Sequence, residues 1–193
     1  MRVGSLLPLL AAAFPAAVTA RGTLGFSLGN QNPDKSCKGV SDYEKDFDAL
    51  KPISTLVRTY SAGNCDTAVN IIPAAKAKGF KVVMGVWYVL RVYSCTWFCV
   101  LTFMSPRPDT DEAFNQDFGA LKKTIPGNED VIHAITVGSE ALYRGDLSAQ
   151  KLLQRINQVK KQFPTITVGT ADSWNKFADG TADPLIQGGV TYM

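Results

Sequence analysis

The stretch Val131-Ile-His-Ala-Ile-Thr-Val-Gly-Ser-Glu140 decides the fold. From Val131 to Val137 it is largely β-branched and apolar, the mark of a strand buried on both faces, as in a parallel sheet. The run stops at Gly138-Ser139, and Glu140 follows. A buried strand end gains nothing from a charge, so packing does not explain a carboxylate there. Barrels of alternating strands and helices place their chemistry at the C-terminal ends of their strands.

Outward from this strand the chain alternates strand and helix. Leu24 to Leu28, Thr55 to Tyr60, Lys81 to Trp87 and Ile166 to Ala171 read as further strands, and Val190 to Tyr192 begins a sixth. Ser41-Asp-Tyr-Glu44 reads as a capping box, with Tyr43, Phe47 and Leu50 following at helical spacing and Pro52 ending the helix. Asp66 is placed to cap a second helix with Val69, Ile72 and Ala75 on one face, a kink at Pro73 and a stop at Gly79. A third helix spans about Asp109 to Lys123, with Ala113, Phe118 and Leu121 inward. Ser148 caps a fourth, whose stripe is Leu152, Ile156, Val159 and Phe163, and Asp183 to Gln187 starts another.

Regular alternation implies a parallel sheet with right-handed crossovers. Tyr60, Trp87, Glu140, Asp172 and Trp174 all fall at strand ends, which suits a barrel with its site on the C-terminal face. A doubly wound sheet is the alternative, but Gly25, Gly29 and Asn30 do not make its phosphate-binding fingerprint.

The 193 residues suffice for one domain, and 46% hydrophobic with 19% charged residues is ordinary globular composition. The formal charge is +3, with the basic residues scattered, so nucleic acid is not an expected partner. Residues 1–20 read as a secretory signal: Arg2, an apolar run from Leu6 to Val18 broken by Pro8 and Pro15, and small residues at Val18-Thr19-Ala20. The mature chain then starts near Arg21 in an oxidising compartment, free of the membrane after cleavage and expected to be a monomer. Cys37 and Cys65 flank the first helix-strand unit, and a disulfide between them suits secretion. Cys95 and Cys99 lack a matching second pair or a neighbouring His, so no metal is expected. His133, the one histidine, reads as a satisfied core residue.

Six segments carry a resemblance: Gly25-Phe-Ser-Leu-Gly29, Val57-Arg-Thr-Tyr-Ser61, Lys78 to Trp87, Pro108 to Phe114, Ile135-Thr-Val-Gly-Ser-Glu140 and Val168-Gly-Thr-Ala-Asp-Ser-Trp174. In this order the chain resembles the fungal branch of glycoside hydrolase family 17, the secreted β-1,3-glucanases and β-1,3-glucanosyltransferases of the cell wall. The resemblance implies a (β/α)8 TIM barrel and a retaining reaction on β-1,3-glucan, without metal or cofactor. It makes Glu140 the acid/base and puts the nucleophile on a seventh strand that these residues do not include. The α/β fold expected here is therefore a TIM barrel truncated after about five and a half β-α units. Two open sheet edges would make it aggregation-prone. Residues 21–193 form the partial barrel domain.

The other roles follow from residue type. Tyr60 and Trp174 suit stacking on pyranose rings, whose C–H faces are apolar, with ordinary core or rim packing also open. Ser139 suits a hydrogen bond to a sugar hydroxyl, and a plain loop serine reads nearly as well. Asp172 orients a hydroxyl or the acid/base, with a turn-forming Asp equally open. Arg58 is expected in the barrel, paired with a carboxylate, and Trp87 beside the cleft. Glu140 must hold a proton, so burial or a nearby carboxylate is expected around it. Two other functions compete: a non-catalytic glucan-binding wall protein, and a membrane-tethered fragment.

Residues 88–107 interrupt the resemblance with a strongly apolar insertion that lacks turn residues until Ser105-Pro106. Val82 to Met104 is long enough for a membrane span, but Arg91 lies near its middle. A substrate-gripping loop would carry Gly, Asn and Asp. A retained intron fits best. Tyr88-Val89 is compatible with a fungal splice donor after the Trp87 codon, Leu101-Thr102 with a branch point and Arg107 with a closing acceptor.

Overall fold

The computed structural model describes residues 24–87 and 111–190. Its centre is a sheet of five parallel strands: β1 (Phe26–Ser27), β2 (Leu56–Arg58), β3 (Lys81–Val86), β4 (Ile132–Ser139) and β5 (Val168–Ala171). They lie in the order β1-β2-β3-β4-β5, every neighbouring pair parallel. A doubly wound sheet reverses its order at a switch point. Consecutive order without reversal is the winding of a barrel wall. Within the described residues β1 and β5 are both edges.

Helices join the strands: α1 (Val40–Leu50), α2 (Thr67–Lys78), α3 (Glu112–Thr124) and α4 (Ala149–Gln162), followed by short α5 (Trp174–Ala178) and α6 (Asp183–Gln187). Each of α1 to α4 buries one stripe. Tyr43 and Phe47 of α1 go under, and Phe47 stacks on Phe80 at 4.4 Å between ring centroids. The stripe expected of α4 is buried in full, and Ser148 caps that helix by accepting from the Lys151 N–H at 3.3 Å. Gly79 stops α2 in the left-handed conformation (φ 74°) that lets its N–H reach the Ala75 carbonyl.

Several local expectations are corrected. The capping arrangement of α1 sits two residues earlier than Ser41: the Gly39 N–H donates to Asp42 Oδ2 at 3.1 Å, and Val40 is already helical. Asp66 makes no side-chain cap on α2, because its own backbone is left-handed (φ 49°). Helix α2 runs from Thr67 to Lys78 with Pro73 inside it. It turns Ala68, Ile71, Ile72, Ala74 and Ala75 inward and leaves Val69 exposed. In α3, Phe114 takes the inward place expected of Ala113, with Asp117, Phe118 and Leu121.

His133 is exposed and not part of the core. Val82 pairs with Ile132 and Val83 with Ala134, so His133 is the extra residue at a register shift. A residue bulged from the ladder loses the alternation that would turn it inward.

Cys37 and Cys65 form a disulfide across 28 residues, tying the loop after β1 to the loop after β2. Val82 to Val86, the first part of the suggested membrane span, belong to β3. Among the described residues no helix is long and apolar enough to cross a membrane. The signal at 1–20, the insertion at 88–107 with Cys95 and Cys99, the start of the third helix at Asp109 and the end of the sixth strand lie outside the described residues.

Candidate active site

All five strands point their C-terminal ends at one rim. After β1 come Leu28 to Asn30, after β2 Thr59 to Ser61, after β3 Trp87, after β4 Glu140, and after β5 Asp172 to Trp174. Register holds the rim together: Leu28 N–H donates to the Arg58 carbonyl (2.8 Å), Thr59 N–H to Val83 (2.9 Å) and Glu140 N–H to Ala171 (2.8 Å).

At the end of β4 the backbone turns through two left-handed residues, Gly138 (φ 79°) and Glu140 (φ 55°). Glycine meets the first need without strain. Glutamate does not, and a non-glycine residue there costs on the order of 1 kcal/mol. The surrounding loop therefore has to hold Glu140 in place. Its carbonyl accepts from the Arg144 N–H at 2.9 Å.

A continuous string of side chains links the residues picked from sequence. Arg58 Nη2 donates to Ser139 Oγ at 3.3 Å, and the same guanidinium lies 4.9 Å from the Tyr60 ring centroid. Tyr60 meets Trp87 edge-on at 6.0 Å. Arg144 covers Trp87 at 5.3 Å and reaches Glu140, with Nη1 3.8 Å from Oε2. Ser139, Tyr60, Trp87 and Glu140 thus share one neighbourhood. Trp174 stands apart in the first turn of α5, 79% exposed.

Two expectations fail here. Among the described residues Arg58 is partnered by a hydroxyl and an aromatic ring, not a carboxylate. Glu140 is not buried: its side chain is 56% exposed and its charged neighbour is the cation Arg144. Among the described residues the five-strand sheet is open, with β1 and β5 as its edges.

Beside this string lies a cleft of about 520 Å³ at the ends of β1 to β3, lined by Asn30, Tyr60, Ser61, Asn64, Trp87 and Gln116 among others. Amides, hydroxyls and flat aromatics are the groups that recognise a sugar: polar edges for hydroxyls, rings for C–H faces. At its base is Asp117, buried in α3. Its Oδ1 accepts from Ser61 Oγ and the Gly63 N–H, both at 2.7 Å, and its Oδ2 from the Trp87 N–H at 2.6 Å. One carboxylate so fixes the loops after β2 and β3, which carry the Tyr60–Trp87 pair.

Burial pushes the Asp117 carboxyl above its ordinary value of 3.8, against the pull of the Trp87, Ser61 and Gly63 hydrogen bonds. The folded state then binds this proton more tightly than the unfolded state, so acid favours the fold through this group. That contribution is full below pH 3.8 and is lost as pH rises through the raised folded value. Asp117→Asn removes it and sets an amide donor against donors, at a cost of about 1–3 kcal/mol. Urea melts across acidic pH should show the stability gap between the two proteins widening as pH falls. A gap independent of pH would contradict the shift.

Sequence reading missed Asp117, Tyr143 and Arg144. A signal for Asp117 was available: it stands three residues after Phe114 and beside Phe118, a charge inside an apolar stripe. Nothing in the pattern marks Arg144 as a bridge between Glu140 and Trp87. Tyr143, 56% exposed on the loop after Glu140, looks like any loop tyrosine.

Comparison with known proteins agrees with this geometry. The BtgE/BtgC glycoside hydrolase domain matches residues 25–190. A glucan 1,3-beta-glucosidase of Arthroderma benhamiae is 54% identical over 193 residues, covering 100% of this chain and 56% of its own length. A glucan 1,3-beta-glucosidase of Candida albicans is 36% identical over 182 residues, 88% of this chain and 53% of its own. The β-1,3-glucanosyltransferase of Rhizomucor miehei, a glycoside hydrolase family 17 structure, superposes with a TM-score of 0.63 at 32% identity over 84% of this chain and 54% of its own. The chain spans about half the length of the curated relatives it matches. The five parallel strands are part of a (β/α) barrel, and the chain belongs to the BtgE/BtgC glycoside hydrolase family.

Proposed function

We propose that this chain is the acid/base-bearing part of a retaining glycoside hydrolase that cleaves or transfers β-1,3-glucan. The observation that carries the reading is Glu140, held in a left-handed turn at the end of β4 on the rim that also carries Tyr60 and Trp87. In the first step Glu140 gives its proton to the glycosidic oxygen while a second carboxylate attacks the anomeric carbon. In the second it takes a proton from water or a glucan hydroxyl, which displaces that carboxylate. Retention needs the two carboxyl groups about 5–5.5 Å apart. The resemblance puts the second on a later strand, so the 193-residue polypeptide alone is expected to bind glucan without turnover. The Rhizomucor miehei relative has been solved, as an active-site mutant, in complex with laminaritriose, which makes that trisaccharide the natural probe.

Residues 1–20 act in this reading as a secretory signal that delivers a monomer to the cell wall, and 21–193 as the barrel portion. Residues 88–107 are a retained intron. Sequencing the mature transcript from Trp87 to Pro108 tests that last point, and a message that keeps those codons rules it out.

Laminaritriose titrated into the chain should bind without being consumed. Residues 21–190 without 88–107, joined to the C-terminal portion of the Arthroderma benhamiae relative, should turn over laminarin. Binding with no turnover in the joined protein would favour the non-catalytic glucan-binding reading, and no binding in either would overturn both.

A further inference from the structure

We propose that Asp172 is the positioning residue for Glu140: its carboxylate clamps the loop that carries Glu140 to the end of β5. The inference rests on Glu140 as acid/base for its functional meaning, and on geometry for the rest. Asp172 Oδ2 accepts from the Leu142 N–H at 2.7 Å, and Oδ1 from the Tyr143 N–H at 3.1 Å. The same Oδ1 accepts from the Ser173 N–H at 2.8 Å. Three backbone amides from two loops thus converge on one carboxylate. Just before these contacts, two residues ahead of Leu142 and one ahead of Asp172, Glu140 N–H donates to the Ala171 carbonyl at 2.8 Å.

The clamp answers a need seen above. Glu140 holds a backbone conformation unfavourable for a glutamate, and such a residue persists only where its surroundings over-determine it. On its N-terminal side it is fixed by the last pairing of β4, Ser139 against Ala171. On its C-terminal side Leu142 and Tyr143 are fixed by Asp172. Without the carboxylate, the residues after Glu140 lose their ties to β5 and its backbone is free to relax from the left-handed region. The side chain would then swing with the turn.

The arrangement around Asp117 is the same device two strands along the rim. There too, one carboxylate accepts backbone N–H groups from two successive βα loops, at Gly63 and Trp87. Asp117 sets the aromatic pair and Asp172 sets the acid/base. An acid/base misplaced by about 1 Å loses on the order of a hundredfold in rate, so placing it is a function in its own right.

The test uses the full chain and a readout that folding alone does not move. Glu44, Glu112, Glu129 and Glu140 are the only glutamates, so labelling the glutamate carboxyl carbons gives one resolvable signal for each by NMR. In Asp172→Ala the Glu140 signal should shift while the other three stay. Amide exchange at Leu142 and Tyr143 should accelerate by about tenfold or more. Asp172→Asn keeps the shape and one acceptor oxygen, so its Glu140 signal should fall between the two. Ser148→Ala, which removes the α4 cap, should lower the melting temperature and leave the Glu140 signal in place.

An unmoved Glu140 signal and unchanged Leu142 and Tyr143 exchange in Asp172→Ala would overturn the proposal. If that variant fails to fold, the same two readouts in Asp172→Asn decide it. A shifted signal together with unimpaired turnover in Glu140→Gln of the joined protein would uphold the clamp and remove the catalytic reading of Glu140.

Discussion

Glu140→Gln is expected to lower laminarin turnover by about 10²–10⁴-fold in the chain completed by its relative's C-terminal portion. Glutamine keeps the size and the backbone of Glu140 but holds no transferable proton. The loss should depend on the leaving group. An unactivated glucosyl oxygen cannot depart without protonation, so laminarin feels the full effect. An aryl β-glucoside with an acidic phenol departs unaided, so formation of the covalent intermediate should be nearly preserved. Its hydrolysis still needs Glu140 as base to activate water. Azide needs no such base, and it should restore turnover of the aryl substrate with a glucosyl azide of retained configuration as product. Equal losses on both substrates, with no azide effect, would mean Glu140 is structural.

The strand-helix pattern was legible because it rests on periodicity that a buried parallel sheet enforces. Helix α6 falls at Asp183–Gln187 as read, and the α4 stripe is buried residue by residue. Local hydrogen bonding was less legible. The α1 cap moved to Gly39 because the Asp42 carboxylate reaches back to the Gly39 N–H, which starts the helix at Val40, before Ser41. His133 failed for a different reason: no single-strand pattern announces a register shift, since the bulge depends on how β3 pairs. Among site residues, position along the chain was enough to place Glu140, Tyr60 and Trp87 on one rim. Partners were not readable. Arg58 meets Ser139 across 81 residues and Asp117 meets Gly63 across 54, and those pairings exist only once strands are ordered.

Gly85→Ala is expected to be the most damaging single methyl group in the described fold. Gly85 is the penultimate residue of β3, paired with Thr136 of β4. Beyond Arg58 the chain leaves β2 and crosses over β3, so that a Cβ on residue 85 would overlap the Tyr60 carbonyl and sit 2.5 Å from the Thr59 carbonyl oxygen. Those are backbone atoms of the segment that presents Tyr60, and they cannot rotate away as a side-chain tip would. Glycine inside a strand marks this kind of close backbone approach. Overpacking of this kind costs about 3 kcal/mol or more, because relief requires moving one strand end against another. Gly79→Ala is the matched control. Its Cβ would meet nothing within 4 Å, and only the left-handed backbone (φ 74°) opposes it. That strain is about 1–2 kcal/mol. Urea melts of the two variants should therefore separate clearly, with Gly85→Ala also displacing Tyr60 from Trp87 and weakening laminaritriose binding. Gly79→Ala, at the far end of α2, should bind as before. Equal stability losses, or a Gly85→Ala protein that binds laminaritriose unchanged, would show that the crossing of Thr59 and Tyr60 over β3 is not as close as the fold requires.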